Sequence, residues 1–304
     1  MTDLPALGVF TLAVLVLLAF DLGVFQRHPH AISFREAASA YAFWVALSIA
    51  FNVGVYFWRG PQPALEFLTG YVLEVSLSMD NVFVFAVIFG FMGVRAEFQH
   101  RVLFWGIVGA LVMRAAFIFA GVALVARFQW VLYVFGVFLV VTGAKLLREK
   151  TEEFHPERNP VLRVARRLFP VTSDYEGAAF FVIRNGRRTA TPLLLVLLLV
   201  ESTDVLFATD SIPAIFAVTL DPFVIFTSNV FAILGLRSLY FILSSGIRRF
   251  RYLRPGLALV LMFVGIKMLI AHFYKIPMVL SLGIICCVLL IAIAASLRAE
   301  REAA

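Results

Sequence analysis

The chain has 304 residues, of which 62% are hydrophobic, 32 are Phe and only 15% are charged. An average soluble domain is roughly 45–50% apolar and about 25% charged, so a water-soluble globule is excluded. Disorder is excluded too, because it needs low hydrophobicity and high charge. The net charge of +7 is concentrated in a few polar stretches, which is the pattern of membrane orientation rather than of nucleic-acid binding.

A bilayer core requires roughly 20 apolar residues per helix. Nine stretches meet that length, near 5–25, 41–58, 66–92, 101–124, 128–148, 190–218, 223–246, 253–272 and 277–297. The expected fold is therefore an all-α polytopic membrane protein. The first stretch is not a cleavable signal: its early charge is Asp3, and Arg27 and Arg35 follow it. With the N-terminus outside, alternation places 19 Lys and Arg residues in inner segments, 3 (Arg59, Arg127 and Lys275) in outer segments and four within spans. That bias predicts a cytoplasmic C-terminus. Trp44, Trp58, Trp105 and Trp130 fall at span ends, where an aromatic belt belongs.

The long polar stretch 149–189 becomes a basic cytoplasmic loop. Within it, Val161, Leu162, Val164, Ala165 and Leu168 alternate with Arg163, Arg166 and Arg167, which predicts an amphipathic surface helix near 160–169 whose arginines meet anionic lipid. Cys286 and Cys287 are adjacent in the last apolar run and read as small helix residues, not as a disulfide or zinc framework.

The chain repeats itself. The third span carries Glu74-Val-Ser-Leu-Ser-Met-Asp80-Asn81, and the sixth carries Asp204-Val-Leu-Phe-Ala-Thr-Asp210-Ser211. Each is followed by an arginine, Arg114 or Arg237, and then by Gly143-Ala-Lys145 or Gly265-Ile-Lys267. Three spans per unit, with none between the units, force the second unit to cross the membrane upside down. Secondary transporters use this arrangement to hold substrate near the midplane. The expected organisation is two peripheral helices in 1–65, repeat 1 in 66–148, the loop 149–189, repeat 2 in 190–272, and a last helix with its tail in 273–304.

Ionisable groups inside a bilayer are costly and mark pathways. The spans hold Glu74, Asp80, Glu201, Asp204 and Asp210, with Asp21 near the inner end of the first. Ser76, Ser78, Asn81, Ser202, Thr203, Ser211 and Asn229 lie beside them, an all-oxygen set that suits hard divalent cations. Arg114, Arg237, Lys145 and Lys267 are the candidate charge partners. On a helical wheel Glu74 and Asn81 lie within about 20° of each other, and so do Asp204 and Ser211, whereas Asp80 and Asp210 stand about 120° away. Either the helices break or the acids do different work. Pro213 predicts a break in the sixth span.

The Glu74–Asn81 segment and the segment Glu201-Ser-Thr-Asp204-Val-Leu-Phe-Ala-Thr-Asp210-Ser211-Ile-Pro213-Ala214 resemble the TerC family of bacterial integral membrane proteins, the Alx-type members above all. The likeness continues through Thr227-Ser-Asn229 and Gly235-Leu-Arg237 and covers nearly the whole chain. The family is associated with manganese efflux, with tellurite-resistance gene clusters and with alkaline pH, and is grouped with LysE-like exporters. The resemblance implies a transporter in the bacterial cytoplasmic (inner) membrane that exports Mn²⁺, with Glu74, Asp80, Asn81, Glu201, Asp204, Asp210 and Ser211 as metal ligands.

Intramembrane enzymes are the rival class. The His-Glu-x-x-His motif of zinc proteases is absent, no Asp follows a Gly as in presenilin-like proteases, and no Walker sequence occurs. The expectation is a non-enzyme without a prosthetic group. Its partners are membrane lipid, a divalent cation (Mn²⁺, with Ca²⁺ as the alternative) and protons, and no nucleic acid. A Ca²⁺/H⁺ exchanger, or a scaffold or sensor in a metal or tellurite stress complex, is the alternative function.

Overall fold

A computed structural model describes residues 4–25, 32–148, 159–184, 186–244 and 252–303. Its helices are α1 (Leu4–Phe25), α2 (Phe34–Arg59), α3 (Pro61–Met92), α4 (Ala96–Arg127), α5 (Val131–Arg148), α6 (Pro160–Leu168), α7 (Pro192–Phe216), α8 (Pro222–Ser244), α9 (Leu253–Ile270) and α10 (Met278–Ala303). Among the described residues, α2 to α5 and α7 to α10 are long and apolar enough to cross a membrane. The uninterrupted apolar part of α1 is shorter, Pro5–Ala19. The protein is an all-α multi-pass membrane protein, as its composition requires.

The element boundaries follow from local chemistry. Pro61 and Pro192 open α3 and α7 at positions where the missing N–H is no loss. Gly93, at φ 65°, closes α3 in the left-handed conformation that a side chain would strain. Asp221 starts α8: its Oδ1 accepts from the Phe223 amide at 2.9 Å, while its Oδ2 takes an ion pair from Arg59 at 2.8 Å. The Arg59 guanidinium also lies 4.9 Å from the Phe223 ring, tying the end of α2 to the start of α8.

The repeated units interlock. α3 packs on α8 as α7 packs on α4, and the equivalent pairs α3–α7, α4–α8 and α5–α9 are also in contact. The α5–α9 pair shows the relation atom by atom. Gly136 on α5 lies against Gly265 and Leu269, while Gly143, seven residues on, lies against Ala258 and Met262, seven residues back. The two helices therefore run antiparallel. By the Gly-x-Lys alignment Gly143 corresponds to Gly265, and Gly136 to Ala258. Each of the two glycines thus touches the residue that corresponds to the other, the reciprocal contact of a two-fold relation between the helices. Small residues allow this close crossing, where lipid gives no hydrophobic drive for helix association.

Two expectations change. The sixth span does not break at Pro213: α7 runs on to Phe216. The proline sits in the last turn, where few hydrogen bonds follow it, and such prolines are tolerated within membranes when neighbouring groups take up the freed carbonyls. The 149–189 loop is also more structured than a tether. Residues 149–158 lie outside the described residues. The rest comprises the expected amphipathic helix, α6, and an antiparallel hairpin that the sequence did not announce, β1 (Phe181–Arg184) with β2 (Arg187–Ala190). The hairpin region is held to the bundle by the Tyr175 hydroxyl, which donates to the Met92 carbonyl at 2.7 Å, and by Arg101, 5.3 Å from the Phe180 ring.

Candidate functional site

The unbroken α3 and α7 settle what the helical wheel left open. Side chains seven residues apart share a face, so Glu74 joins Asn81 and Asp204 joins Ser211, while Asp80 and Asp210 are turned elsewhere. Glu74, Asn81, Asp204, Ser211, Arg114 and Asn229 are all buried, each at most 3% exposed. Together they form one polar cluster in the apolar interior.

Arg114, from α4, is its centre. Its Nη1 donates to Glu74 Oε1 in a close ion pair, to Asn229 Oδ1 at 3.3 Å and to Ser211 Oγ at 3.5 Å. Its Nη2 and Nε straddle the Asp204 carboxylate, at 3.1 Å to Oδ1 and 3.3 Å to Oδ2. Asn229 closes the ring by donating to Glu74 Oε2 at 2.9 Å. Ser78 Oγ donates to Glu74 Oε1, and Asn81 Nδ2 donates to Asp204 Oδ1, each at 3.4 Å. A buried guanidinium needs acceptors for its donors and a counter-charge, and the ring supplies both. One arginine thus holds the equivalent acids of both repeats.

The second pair lies apart from this ring. Asp210 is half-buried, hydrogen-bonded to Thr142 of α5 and within electrostatic reach of Asp80, which in turn feels Arg254 at the start of α9. Glu201 occupies a third position. It is half-buried, lies within electrostatic reach of Asp204, and its carboxylate fills the space beside Gly109 where a Cβ would stand. The structure does not bring all the sequence-predicted ligands into one chamber. Among the described residues, no group of three or more His, Cys, Asp and Glu side chains is arranged to hold a metal ion.

Two buried oxygens flanking Asp204 nevertheless have no hydrogen-bond partner: Asn81 Oδ1 and Glu201 Oε2. Both are acceptors, and an unmet buried acceptor is costly unless a donor or a cation serves it. Asp204 also lines, with Arg237 of α8, a cavity of about 10 Å³, the room one water needs.

The other predicted residues divide as follows. Arg237 is half-buried and lines the same cavity, so it does not mirror the fully enclosed Arg114. Lys145 is exposed; Lys267 is half-buried within reach of Glu66. The hydroxyls of Ser76 and Thr203 donate to carbonyls four residues back in their own helices and are drawn away from the ring. Ser202 donates to the Leu199 carbonyl and accepts from Asn159 at the head of α6, at 2.9 Å. The side chain of Asp21 lies outside the described residues. Gly109, Thr142 and Asn159 escaped sequence reasoning. Thr142 directly precedes the repeated Gly143-Ala-Lys145 step, and Asn159 precedes Pro160 at the head of α6, an N-cap pattern; Gly109 carries no such signal.

Comparison with known proteins places this geometry in a lineage. A relative from Myxococcus xanthus, "Uncharacterized membrane protein STKORF319", is 53% identical over 97% of this chain and 92% of its own. Proteins named "Putative membrane-bound redox modulator Alx" are 48% identical in Salmonella typhi and 46% identical in Escherichia coli (strain K12), each over 91% of this chain and 89% of the relative. No solved structure matches the chain. The model of the integral membrane protein TerC family matches residues 59–304, which is the whole of both repeats and the last helix, and the chain belongs to that family.

Proposed function

We propose that this chain is a secondary transporter that exports a divalent metal cation, Mn²⁺, from the cytoplasm across the bacterial inner membrane, with its N-terminus outside and its C-terminus inside. The observation that carries the reading is the Arg114 ring. Equivalent acids of two interlocked repeats meet at one buried cation, beside two oxygens that lack a donor. Glu74 and Asp204 carry two negative charges against one guanidinium, so the ring favours cations. A dication that displaced Arg114 would meet carboxylate and amide oxygens, the donors that Mn²⁺, Ca²⁺ and Mg²⁺ prefer.

In this mechanism Arg114 holds the ring together while no metal is bound and withdraws as the ion enters. Asp80 and Asp210 form a waiting position on the route, and Glu201 carries protons in exchange. Redox modulation, which the relatives' name states, is compatible with control of a redox-active cation.

The competing reading is a membrane scaffold or sensor in which Arg114 is a permanent structural counter-ion. The lack of a converged metal-binding group among the described residues favours it.

One experiment separates the two. Proteoliposomes loaded with Mn²⁺ are assayed with wild type, Asp80→Asn, Asp210→Asn and Lys275→Ala, the last an exposed residue of the α9–α10 turn. The transporter reading expects flux in wild type and Lys275→Ala and loss of flux in both acid variants, at equal reconstituted protein. Absence of Mn²⁺ flux in wild type sinks it, and flux of Ca²⁺ alone transfers it to calcium. Flux indifferent to an imposed pH gradient removes the proton exchange.

A further inference from the structure

The Arg114 ring is covered differently on its two faces. Towards the end of α3 at Gly60 lie Gly70, four residues before Glu74; Ile215, four residues after Ser211; and Ser228, beside Asn229. These three meet: a Cβ at Gly70 would stand 2.9 Å from both Ile215 Cδ1 and Ser228 Oγ. The Ile215 side chain fills the place where α3 has none, and Ile215 and Ser228 are both buried. Phe67 and Ile225 continue the same apolar cluster.

The layer on the opposite face, towards Gly93, is its counterpart under the repeat. The acid-x5-Asp alignment pairs Gly70 with Val200 and Ile215 with Phe85, and the arginine alignment pairs Asn229 with Gly106. The pairing holds in space. A Cβ at Gly106 would stand 3.1 Å from Val200 Cγ1, as Gly70 abuts Ser228, the neighbour of Asn229. This second layer is not filled. Phe85, Val200, Gly106, Ala110 and Ile233 line the small cavity that reaches Asp204. Val200 brings bulk where Gly70 leaves a seat, and Phe85 lines the cavity rather than filling it.

We infer that Ile215 is a gate. Seated on Gly70 and Ser228, it shuts the ring towards the Gly60 end, and the structure is the state whose access lies towards the Gly93 end. The inference deepens the transporter reading and rests on it, because a cation leaving Glu74 and Asp204 for the Gly60 side must displace the Ile215 side chain. Alternating access needs a seal on each side of the site that is released separately. Ile215 sits in a turn suited to moving. Pro213 has no N–H to give the Thr209 carbonyl, and α7 ends at Phe216, so few helical bonds hold that turn.

The test reads reagent access, which needs no ion. In a Cys286→Ala, Cys287→Ala background, Ser228→Cys places a thiol behind Ile215. Proteoliposomes are exposed on one side at a time to a membrane-impermeant methanethiosulfonate. Lys275→Cys, in a parallel sample, marks the Gly60 side, since it follows the end of α9 that lies where α5 begins and α4 ends. A covered thiol reacts in proportion to the time its cover is open, so Ile215→Ala should speed modification from the Gly60 side on the order of tenfold. Gly70→Val, which gives α3 the residue of the other repeat and evicts the isoleucine, should act alike from the same side. Where either variant does not fold, Ile215→Val removes only the methyl that touches Gly70 and should give a smaller gain of the same sidedness. Access that is unchanged in every folded variant overturns the gate, and Mn²⁺ flux in the same vesicles would then leave the transporter reading standing. Equal speeding from both sides marks a loosened bundle and overturns the gate as well. One-sided speeding supports the gate, and if Mn²⁺ flux is absent in those vesicles, it is the transporter reading that fails.

Discussion

Gly136 on α5 and Gly265 on α9 meet backbone to backbone: a Cβ built on Gly265 would stand 2.7 Å from the Gly136 carbonyl oxygen. Gly143 stands in the same relation to the Ala258 carbonyl, also at 2.7 Å. Because the obstacle is main chain, it cannot rotate away. Gly265→Val and Gly143→Val should each lower stability by about 1–3 kcal/mol, the usual cost of overpacking. Gly283→Val on α10, where a Cβ meets nothing within 4 Å, should leave stability nearly unchanged. Thermal unfolding midpoints in detergent check the contrast; equal loss in all three would mean that the crossing is not as close as described.

Arg114 makes a second contrast. Arg114→Ala leaves Glu74 and Asp204 buried without their counter-ion, and breaking such a set by one partner costs about 3–5 kcal/mol. If the ring accepts a dication, added Mn²⁺ should restore much of that loss, because a ligand bound only by the folded state raises its stability. The expected result is a midpoint for Arg114→Ala that is low in chelator and climbs with millimolar Mn²⁺. The triple variant Arg114→Met, Glu74→Gln, Asp204→Asn should regain stability but show no Mn²⁺ response. A metal-blind Arg114→Ala would favour the purely structural role.

The features most legible in the sequence were those written as spacing. The apolar runs located the spans, and the repeated acid-x5-Asp step marked Glu74 and Asp204, which α3 and α7 bring into the core, and Asp80 and Asp210, which they do not. The helical wheel alone separates Glu74 and Asn81 from Asp80. What escaped was set by partners far along the chain. That Arg114, rather than Arg237, would take both Glu74 and Asp204 depends on how α4 and α8 seat against the opposite repeat, and no local pattern encodes that. Pro213 misled because its effect depends on where the helix ends: three residues from the terminus it removes little. The hairpin at 181–190 was hidden because its strands are four residues each and carry three arginines among them.

Gly109 tests Glu201 without touching it. A Cβ at Gly109 would overlap the Glu201 carboxylate, the far end of a flexible side chain. Gly109→Ala should therefore move Glu201 at little cost to stability, since alanine is favoured over glycine in a helix by about 1 kcal/mol. The expected outcome is normal expression and an unfolding midpoint at or above wild type, with ion flux in proteoliposomes reduced to the level of Glu201→Gln. Unimpaired flux in both variants would remove Glu201 from the mechanism.

Asn159 joins the amphipathic segment to α7. Its Oδ1 accepts from the Val161 amide at 2.8 Å, capping α6, and its Nδ2 donates to Ser202 at 2.9 Å, one residue from Glu201. Asn159→Ala removes both bonds, whereas Asn159→Asp keeps the cap and loses only the donor to Ser202. Loss of an N-cap costs about 1 kcal/mol of helix stability. Faster amide exchange across 160–168 is thus expected in Asn159→Ala and not in Asp. If Ser202 also relays the position of α6 to Glu201, both variants should change ion flux alike, despite their different effects on the helix. Flux that instead tracks helix exchange would show that α6 acts only by being folded, with Ser202 a bystander to the exchange at Glu201.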